Sequence, residues 1–420
     1  MIKGPRGTND ILPPVSLNWQ YVEAKARNIF KLYNYQEIRT PIFEYTELFA
    51  RGIGEVTDIV EKEMYTFMDK GERSITLRPE GTAPVVRSFL ENKIYGRAQP
   101  TKYYYLGPMF RYERPQAGRY RQFHQIGVEA LGSNDPFLDA EVIALGMNLM
   151  AELGLKEQEV LLNSIGCTAC RPNYIIKLKN YVTTKQDQFC EDCRRRKDEN
   201  PLRILDCKQK DCRQLRKEAP QITDYLCEPC HKHFFTLQEN LRLLKIDFTV
   251  QPDLVRGLDY YTNTAFEVKY KGLGAQNTIF GGGRYNGLTE EIGRKSIPGI
   301  GFAMGMERLL LALRKQNIKL PVTDKLDLFI ITIGNQARRY AFELNNQLRK
   351  AGYRAEMDYL DRSVRSQMKA ANRNNATFTI IIGDDELEKR VVTLHNMESG
   401  RETEVKLENV INTINSHKKS

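Results

Sequence analysis

Alternation of period two dominates the stretch Tyr103 to Gly132 and predicts two strands joined by a basic loop. In the first arm Met109, Arg111 and Glu113 share one face, and Phe110 and Tyr112 share the other. In the second arm Phe123, Gln125 and Glu129 fall opposite His124, Ile126, Val128 and Ala130. The apolar face requires a core. The polar face gathers an arginine, two carboxylates, an amide and a phenyl ring. That set fits either water against a half-exposed antiparallel hairpin or the floor of a site for an anionic, aromatic ligand.

The same reading divides the rest of the chain. Lys3 to Pro14 is too rich in Gly and Pro for regular structure and reads as an extended arm packed on another element. A helix follows with Val22, Ala26, Ile29, Phe30 and Tyr33 on one face; it ends near Asn34 and leads into a strand from Glu37 to Pro41. Ser74 to Glu80 predicts a strand entering a turn, and Thr82 and Pro84 start a helix carrying Val85, Val86, Phe89 and Leu90 inward. The turn Glu80-Gly81-Thr82 presents a carboxylate and a hydroxyl, either to a cationic amine or as a helix cap. A helix spans Pro136 to Leu153. Later, Thr264, Phe266, Val268 and Tyr270 alternate with Ala265, Glu267 and Lys269 as a strand with one buried face. Gly299 to Gly305 then forms a glycine-bearing strand that runs into a helix from Met306. Beyond a linker at Lys315 to Asp324, three strands (Leu328 to Ile333, Arg354 to Tyr359, Phe378 to Ile382) alternate with helices Ala337 to Lys350 and Ser363 to Asn374. This predicts a small parallel α/β domain. Arg362, Arg365, Lys369 and Arg373 recur at helical spacing in its second helix, as a solvated face or a track for a phosphate backbone.

With 420 residues the chain has room for two or three domains. No apolar run approaches the roughly 20 residues of a membrane helix, and MIKGPRGTND lacks the apolar region of a signal peptide. The expectation is a cytoplasmic protein with no membrane partner. A net charge of +10 favours a polyanionic one.

All 8 cysteines fall between Cys167 and Cys230, which marks a local device and not a disulfide framework. They lie in a polar, basic insertion, residues 164–250, as four close pairs: Cys167 and Cys170, Cys190 and Cys193, Cys207 and Cys212, Cys227 and Cys230. Each pair can bite one tetrahedral Zn²⁺, giving up to two sites. Pairing in chain order joins the first two pairs and then the last two, with His231 or His233 able to substitute in the second site.

Three further signals concern anions. Arg256 precedes a tight glycine turn, a good position for a phosphate ligand. Gly281 to Gly283 lets backbone approach a ligand closely, although neither a P-loop nor a GxGxxG strand-helix unit is present. Arg308 lies in the first turn of its helix, where it opposes the macrodipole unless an anion binds.

Phe110-Arg111-Tyr112-Glu113, the basic loop to Arg121, Phe123 and the glycine-rich strand ending in Glu307-Arg308 resemble motifs 2 and 3 of class II aminoacyl-tRNA synthetases. Arg39-Thr40-Pro41 resembles motif 1. Leu254 to Tyr261 and Gly281 to Tyr285 are similar to the signatures peculiar to histidyl-tRNA synthetases, so the likeness runs through essentially the whole chain. The HIGH and KMSKS signatures of class I are absent.

The resemblance implies an α+β catalytic core with a six- or seven-stranded antiparallel sheet in two parts, 1–163 and 251–316, around the Cys-rich insertion. It also implies a C-terminal α/β anticodon-binding domain, 325–420, and a homodimer built on motif 1. The implied reaction is ATP-dependent activation of L-histidine, with Mg²⁺ on the ATP, and transfer to tRNA(His). In that scheme Arg111 and Arg256 hold the α-phosphate, Arg308 the γ-phosphate, Glu113 the adenine amino group, and Phe123 stacks on adenine. Glu80, Gly81, Thr82 and Gln125 surround the α-amino group, and Glu129 and Tyr261, with Tyr260 beside them, read the imidazole. A carboxylate and a hydroxyl suit a ring with two nitrogens. Arg114, Gln116 and Arg119 in the hairpin loop face the acceptor stem. Tyr112 stands where the family often has His. Two other readings stay open at this level: a synthetase-like regulator without catalysis, and a zinc-bearing RNA-binding protein without chemistry.

Overall fold

The computed structural model describes residues 2–54, 57, 59–116 and 118–418, and the chain forms two compact units, Met1–Leu320 and Pro321–Ser420. In the first, helix α1 (Val15–Leu32) precedes strands β1 (Gln36–Glu37) and β2 (Phe43–Tyr45), helix α2 (Thr46–Ile53), strands β3 (Tyr65–Met68) and β4 (Ser74–Leu77), and helix α3 (Thr82–Glu91). The hairpin β5 (Thr101–Phe110) and β6 (Gln122–Leu131) leads to α4 (Pro136–Glu152) and β7 (Glu159–Ser164). The cysteine-rich stretch folds as helices α5 (Arg171–Thr184), α6 (Glu191–Glu199), α7 (Lys210–Arg216) and α8 (Glu228–Leu243). Strands β8 (Phe248–Val250), β9 (Thr262–Lys269) and β10 (Thr278–Arg284), helix α9 (Leu288–Gly293), strand β11 (Gly299–Gly305) and helix α10 (Met306–Lys315) complete it.

The main sheet has the order β1-β5-β6-β11-β10-β9-β7-β8. It is eight-stranded and mixed, because β1 joins β5 and β8 joins β7 in parallel while the interior pairs are antiparallel. The expected six or seven antiparallel strands are thus flanked by short parallel edges. The strand expected from Glu37 to Pro41 is only Gln36–Glu37, and β2, β3 and β4 form a separate small sheet.

Alternation along the strands sends Ile126, Val128, Ala130, Phe266, Val268, Ile300, Phe302 and Met304 into a core shared with Val22 and Phe30 of α1, Leu145 and Leu149 of α4, and Phe234, Leu237 and Leu241 of α8. α8, expected as part of the insertion, therefore packs in the main core. The opposite face carries Tyr105, Met109, Tyr260, Tyr261 and Tyr285 in a second buried cluster with α3 and the cysteine-rich helices. Both faces of the β5–β6 hairpin are covered, which rules out the half-exposed alternative. Tyr112 does not join the apolar face: β5 ends at Phe110, and Tyr112 is 53% exposed with Arg121 stacked 3.9 Å from its ring centre. The N-terminal arm packs on another element, as expected, and that element is the hairpin: Arg121 N donates to Gly7 O at 2.8 Å.

The second unit contains β12 (Leu328–Ile333), α11 (Asn335–Lys350), β13 (Ala355–Met357), α12 (Val364–Arg373), β14 (Phe378–Gly383), α13 (Asp384–Glu388), β15 (Val391–Asn396), β16 (Glu402–Lys406) and α14 (Val410–Lys418). Its sheet order is β13-β12-β14-β15-β16. The βαβαβ half is parallel as expected, but β15 and β16 add antiparallel strands and make the sheet mixed. Arg365, Lys369 and Arg373 are exposed, whereas Arg362 pairs with the buried Asp358.

Candidate active site

Strands β6, β10 and β11 floor a cavity at whose walls Arg111, Arg256 and Arg308, nearly 200 residues apart at the extremes, converge. Glu80, Thr82, Glu113, Phe123, Gln125, Tyr260 and Tyr261 also line it. β4 ends at Leu77, short of the expected Glu80, which lies three residues beyond it; the Glu80 carboxylate accepts from Thr82 N at 2.6 Å and Ala83 N at 2.8 Å, so it caps α3. The cap and the cavity wall are one residue. Burial pushes its carboxyl above the ordinary value in spite of these donors.

Glu129 lies behind the floor, 1% exposed, with Thr82 and Tyr285 of the lining on its carboxylate. Tyr285 Oη donates to Oε2 at 2.6 Å, Thr82 Oγ1 donates to Oε1 at 2.7 Å, and Tyr105 Oη approaches Oε1 at 3.4 Å. Burial raises Glu129 to about 8, against the pull of those donors. Glu129 and Tyr261 are expected to read the same ring; within the protein the hydroxyls that Glu129 itself meets belong to Thr82, Tyr285 and Tyr105. Tyr285 stood in the sequence within GGGRY, and Tyr105 in the YYY run, but neither alternation nor spacing assigns them a partner. Tyr105 reaches Glu129 because Gly81 and Gly127 leave its ring room: a Cβ at either would sit 2.3 or 2.1 Å from that ring.

The cationic wall is held from several directions. Arg111 Nε donates to Pro79 O at 2.9 Å, and its guanidinium stacks 5.3 Å from the centre of the Phe123 ring. Arg308 Nε donates to Gly118 O at 3.1 Å and Nη1 to Thr278 O at 3.2 Å. Burial, with other arginines nearby, holds both guanidiniums below their ordinary values. Arg256 is also pulled down by burial, but the paired Glu267 carboxylate outweighs this and leaves it raised. Arg256 Nε and Gln125 Oε1 are buried with no hydrogen-bond partner among the described residues. In the hairpin loop Arg114 and Gln116 are exposed, but Arg119 turns inward and donates to Glu113 Oε1 at 2.8 Å. Ala117 lies outside the described residues.

The loop Leu254 to Tyr261 has no regular structure and is fastened from outside. Asn163 Nδ2 donates to Leu254 O at 2.9 Å, and two groups of the cysteine-rich stretch hold its far end: Arg171 Nη2 donates to Tyr261 O at 2.7 Å and Asn200 Nδ2 to Asp259 Oδ1 at 2.8 Å.

The cysteines gather as two clusters, Cys167, Cys170, Cys227 and Cys230, and Cys190, Cys193, Cys207 and Cys212. Pairing is nested and not in chain order, because α8 returns Cys227 and Cys230 beside the start of α5. Sγ separations are 3.7 Å for Cys167–Cys170, 3.8 Å for Cys167–Cys227, 3.9 Å for Cys170–Cys230 and 3.8 Å for Cys190–Cys207. A tetrahedron of sulfurs each ~2.3 Å from one ion has an edge of about 3.8 Å, so the thiols present fit a metal. Neither histidine joins them: His233 Nε2 lies 2.9 Å from Asp139 Oδ2, and His231 is exposed.

Residues 7–309 match the family described as histidyl-tRNA synthetase, and residues 327–417 match that described as anticodon binding domain. The chain belongs to the histidyl-tRNA synthetase family. Among histidine–tRNA ligases, that of Halothermothrix orenii is 66% identical over 410 residues, covering 98% of both chains, and that of Caldanaerobacter subterraneus is 52% identical over the same share. The crystal structure of apo histidyl-tRNA synthetase from S. aureus superposes with a TM-score of 0.85 at 46% identity, covering 99% of this chain and 100% of that one. The class II core, the C-terminal domain and the family signatures at Leu254 to Tyr261 and Gly281 to Tyr285 thus belong to a histidyl-tRNA synthetase.

Proposed function

We infer that the protein condenses L-histidine with ATP to histidyl-adenylate and transfers the histidyl group to tRNA(His). The observation carrying this reading is the cavity's two-ended chemistry: three guanidiniums drawn from three segments line it together with Glu80, Thr82, Gln125 and the tyrosines in front of the buried Glu129. The Glu129 end offers an acceptor and hydroxyls to an imidazole with two ring nitrogens, and rejects an apolar isostere. Gln125 Oε1, unpaired, suits an α-ammonium donor, with Glu80 and Thr82 beside it. Arg111 and Arg256 grip the α-phosphate from two sides, Arg308 takes the γ-phosphate, and Phe123 and Glu113 receive the adenine. A bound polyanion offsets the burial, and the lesser repulsion between arginines, that hold Arg111 and Arg308 below their ordinary values. The rate then comes from alignment and charge neutralisation, with no general base required. Mg²⁺ enters with ATP as part of that substrate.

The division of labour follows: 1–163 and 251–316 carry the chemistry, 164–250 is the insertion, 325–420 reads the anticodon, and Arg114, Gln116 and Arg119 meet the acceptor stem. The two thiol clusters hold structural Zn²⁺. The working form is a cytoplasmic homodimer, a reading supported by Phe43, Tyr45, Phe67 and Met68, each about half exposed or more on the small sheet. No helix among the described residues is long and apolar enough to cross a membrane. A regulator without catalysis has no need of all three arginines. Pyrophosphate exchange assayed with each of the twenty amino acids tests the reading: exchange with histidine alone supports it, and no histidine-dependent exchange overturns it.

A further inference from the structure

One cation of the cavity comes from neither half of the core. Lys208, in the cysteine-rich stretch, lines the same cavity as Arg111, Arg256 and Arg308. It is exposed, and among the described residues it makes no ion pair. Its backbone is nonetheless fixed: Cys207, immediately before it, is buried in the thiol cluster with Cys190, Cys193 and Cys212, and α7 begins two residues after it. Leu205, three residues earlier, packs in the core cluster that also contains Tyr261 and Tyr285. An unpartnered ammonium on an anchored segment, beside three guanidiniums, is placed for an anion and not for a carboxylate of the protein.

Building on the reaction inferred above, we propose that Lys208 is a substrate-phosphate ligand that the cysteine-rich insertion contributes to the active site. Its ammonium meets a phosphate oxygen at the open side of the cavity, as a fourth positive charge. The insertion is then part of the site's charge and not only a spacer. The phosphate belongs to ATP or to the 3′ end of the tRNA, and the two are separable.

The test uses full-length wild type, K208A, K208R and, as a control, K210A, whose exposed lysine lies two residues on but outside the cavity lining. Histidine-dependent pyrophosphate exchange without tRNA and single-turnover transfer from preformed adenylate to tRNA are measured at low and high salt. K208A raises the KM for ATP, or slows transfer, by about three- to tenfold. K208R restores most of the loss, K210A does nothing, and the effect shrinks as salt screens it. A change in exchange assigns the contact to ATP; normal exchange with slow transfer assigns it to the RNA. K208A equal to wild type in both assays overturns the proposal. Absence of histidine-dependent exchange in the wild type instead overturns the reading on which it rests.

Discussion

Tyr285 Oη donates to Glu129 Oε2 at 2.6 Å, tying the glycine-rich strand β10 to the floor of the hairpin through one buried bond. Tyr285→Phe removes that donor and little else. A buried hydrogen bond to a carboxylate contributes ~1.5–3 kcal/mol, so the KM for histidine in pyrophosphate exchange rises by about 10- to 100-fold while the KM for ATP stays within about twofold of wild type. Equal losses for both substrates would contradict the placement of Tyr285 on the amino acid.

Glu129 also makes stability depend on pH. Its folded-state value of about 8 stands above an ordinary 4.5, so between these limits the folded chain keeps a proton that the unfolded chain has released. Stability contributed by this group is full below 4.5, falls as pH rises through the window, and is flat above 8. Relative to Glu129→Gln, wild type loses up to ~1.4 kcal/mol per pH unit across the window. Urea midpoints of the two proteins at pH 5, 6.5, 8 and 9.5 should diverge up to pH 8 and then run parallel; curves parallel throughout would refute the assignment.

Nested and chain-order cysteine pairing differ in a single double variant. Wild type purified without added metal is expected to carry about two equivalents of zinc. Cys167→Ser with Cys227→Ser strikes one nested cluster twice and leaves the other whole, so one equivalent remains. Chain-order pairing would lose both, and elemental analysis reads the difference.

Beneath the sheet, Asp139 of α4 is wholly buried against Arg284 of β10 at 2.5 Å, with Thr264 Oγ1 donating at 2.6 Å and His233 of α8 at 2.9 Å. Asp139→Asn strands a buried guanidinium and should cost ~3–5 kcal/mol of unfolding free energy by urea titration. A loss below ~1 kcal/mol would mean the network relaxes around the change.

Residues whose roles follow from alternation were readable in the sequence. Phe123, Gln125 and Glu129 share one face because β6 is a long, regular strand, and the first two of them line the cavity. Arg111 sits one step beyond the end of β5, and Arg308 sits in the first turn of α10. Contacts between distant segments were not readable. Tyr285 looks like any strand tyrosine until β10 is laid beside β11, and Arg119 counts as a loop cation until Glu113 is seen folding back on it. The cysteine spacing supplied the pairs, but the partner of each pair depends on the return path of α8. The edge strands β1 and β8 are too short to carry a period, and β15 and β16 follow a stretch whose charge masked their alternation.

β7 and β8 are parallel neighbours, Val160 beside Phe248 and Leu162 beside Val250, so the insertion leaves the sheet at one end and must return at the other. It is a crossover, and a crossover cannot be replaced by a tight loop. Protein engineers or evolution shortening this synthetase would have to preserve α8 as the return leg, since Phe234, Leu237 and Leu241 fill the central core. Length variation is then confined to the span between α5 and α7, and a minimal enzyme would still be wrapped on this flank.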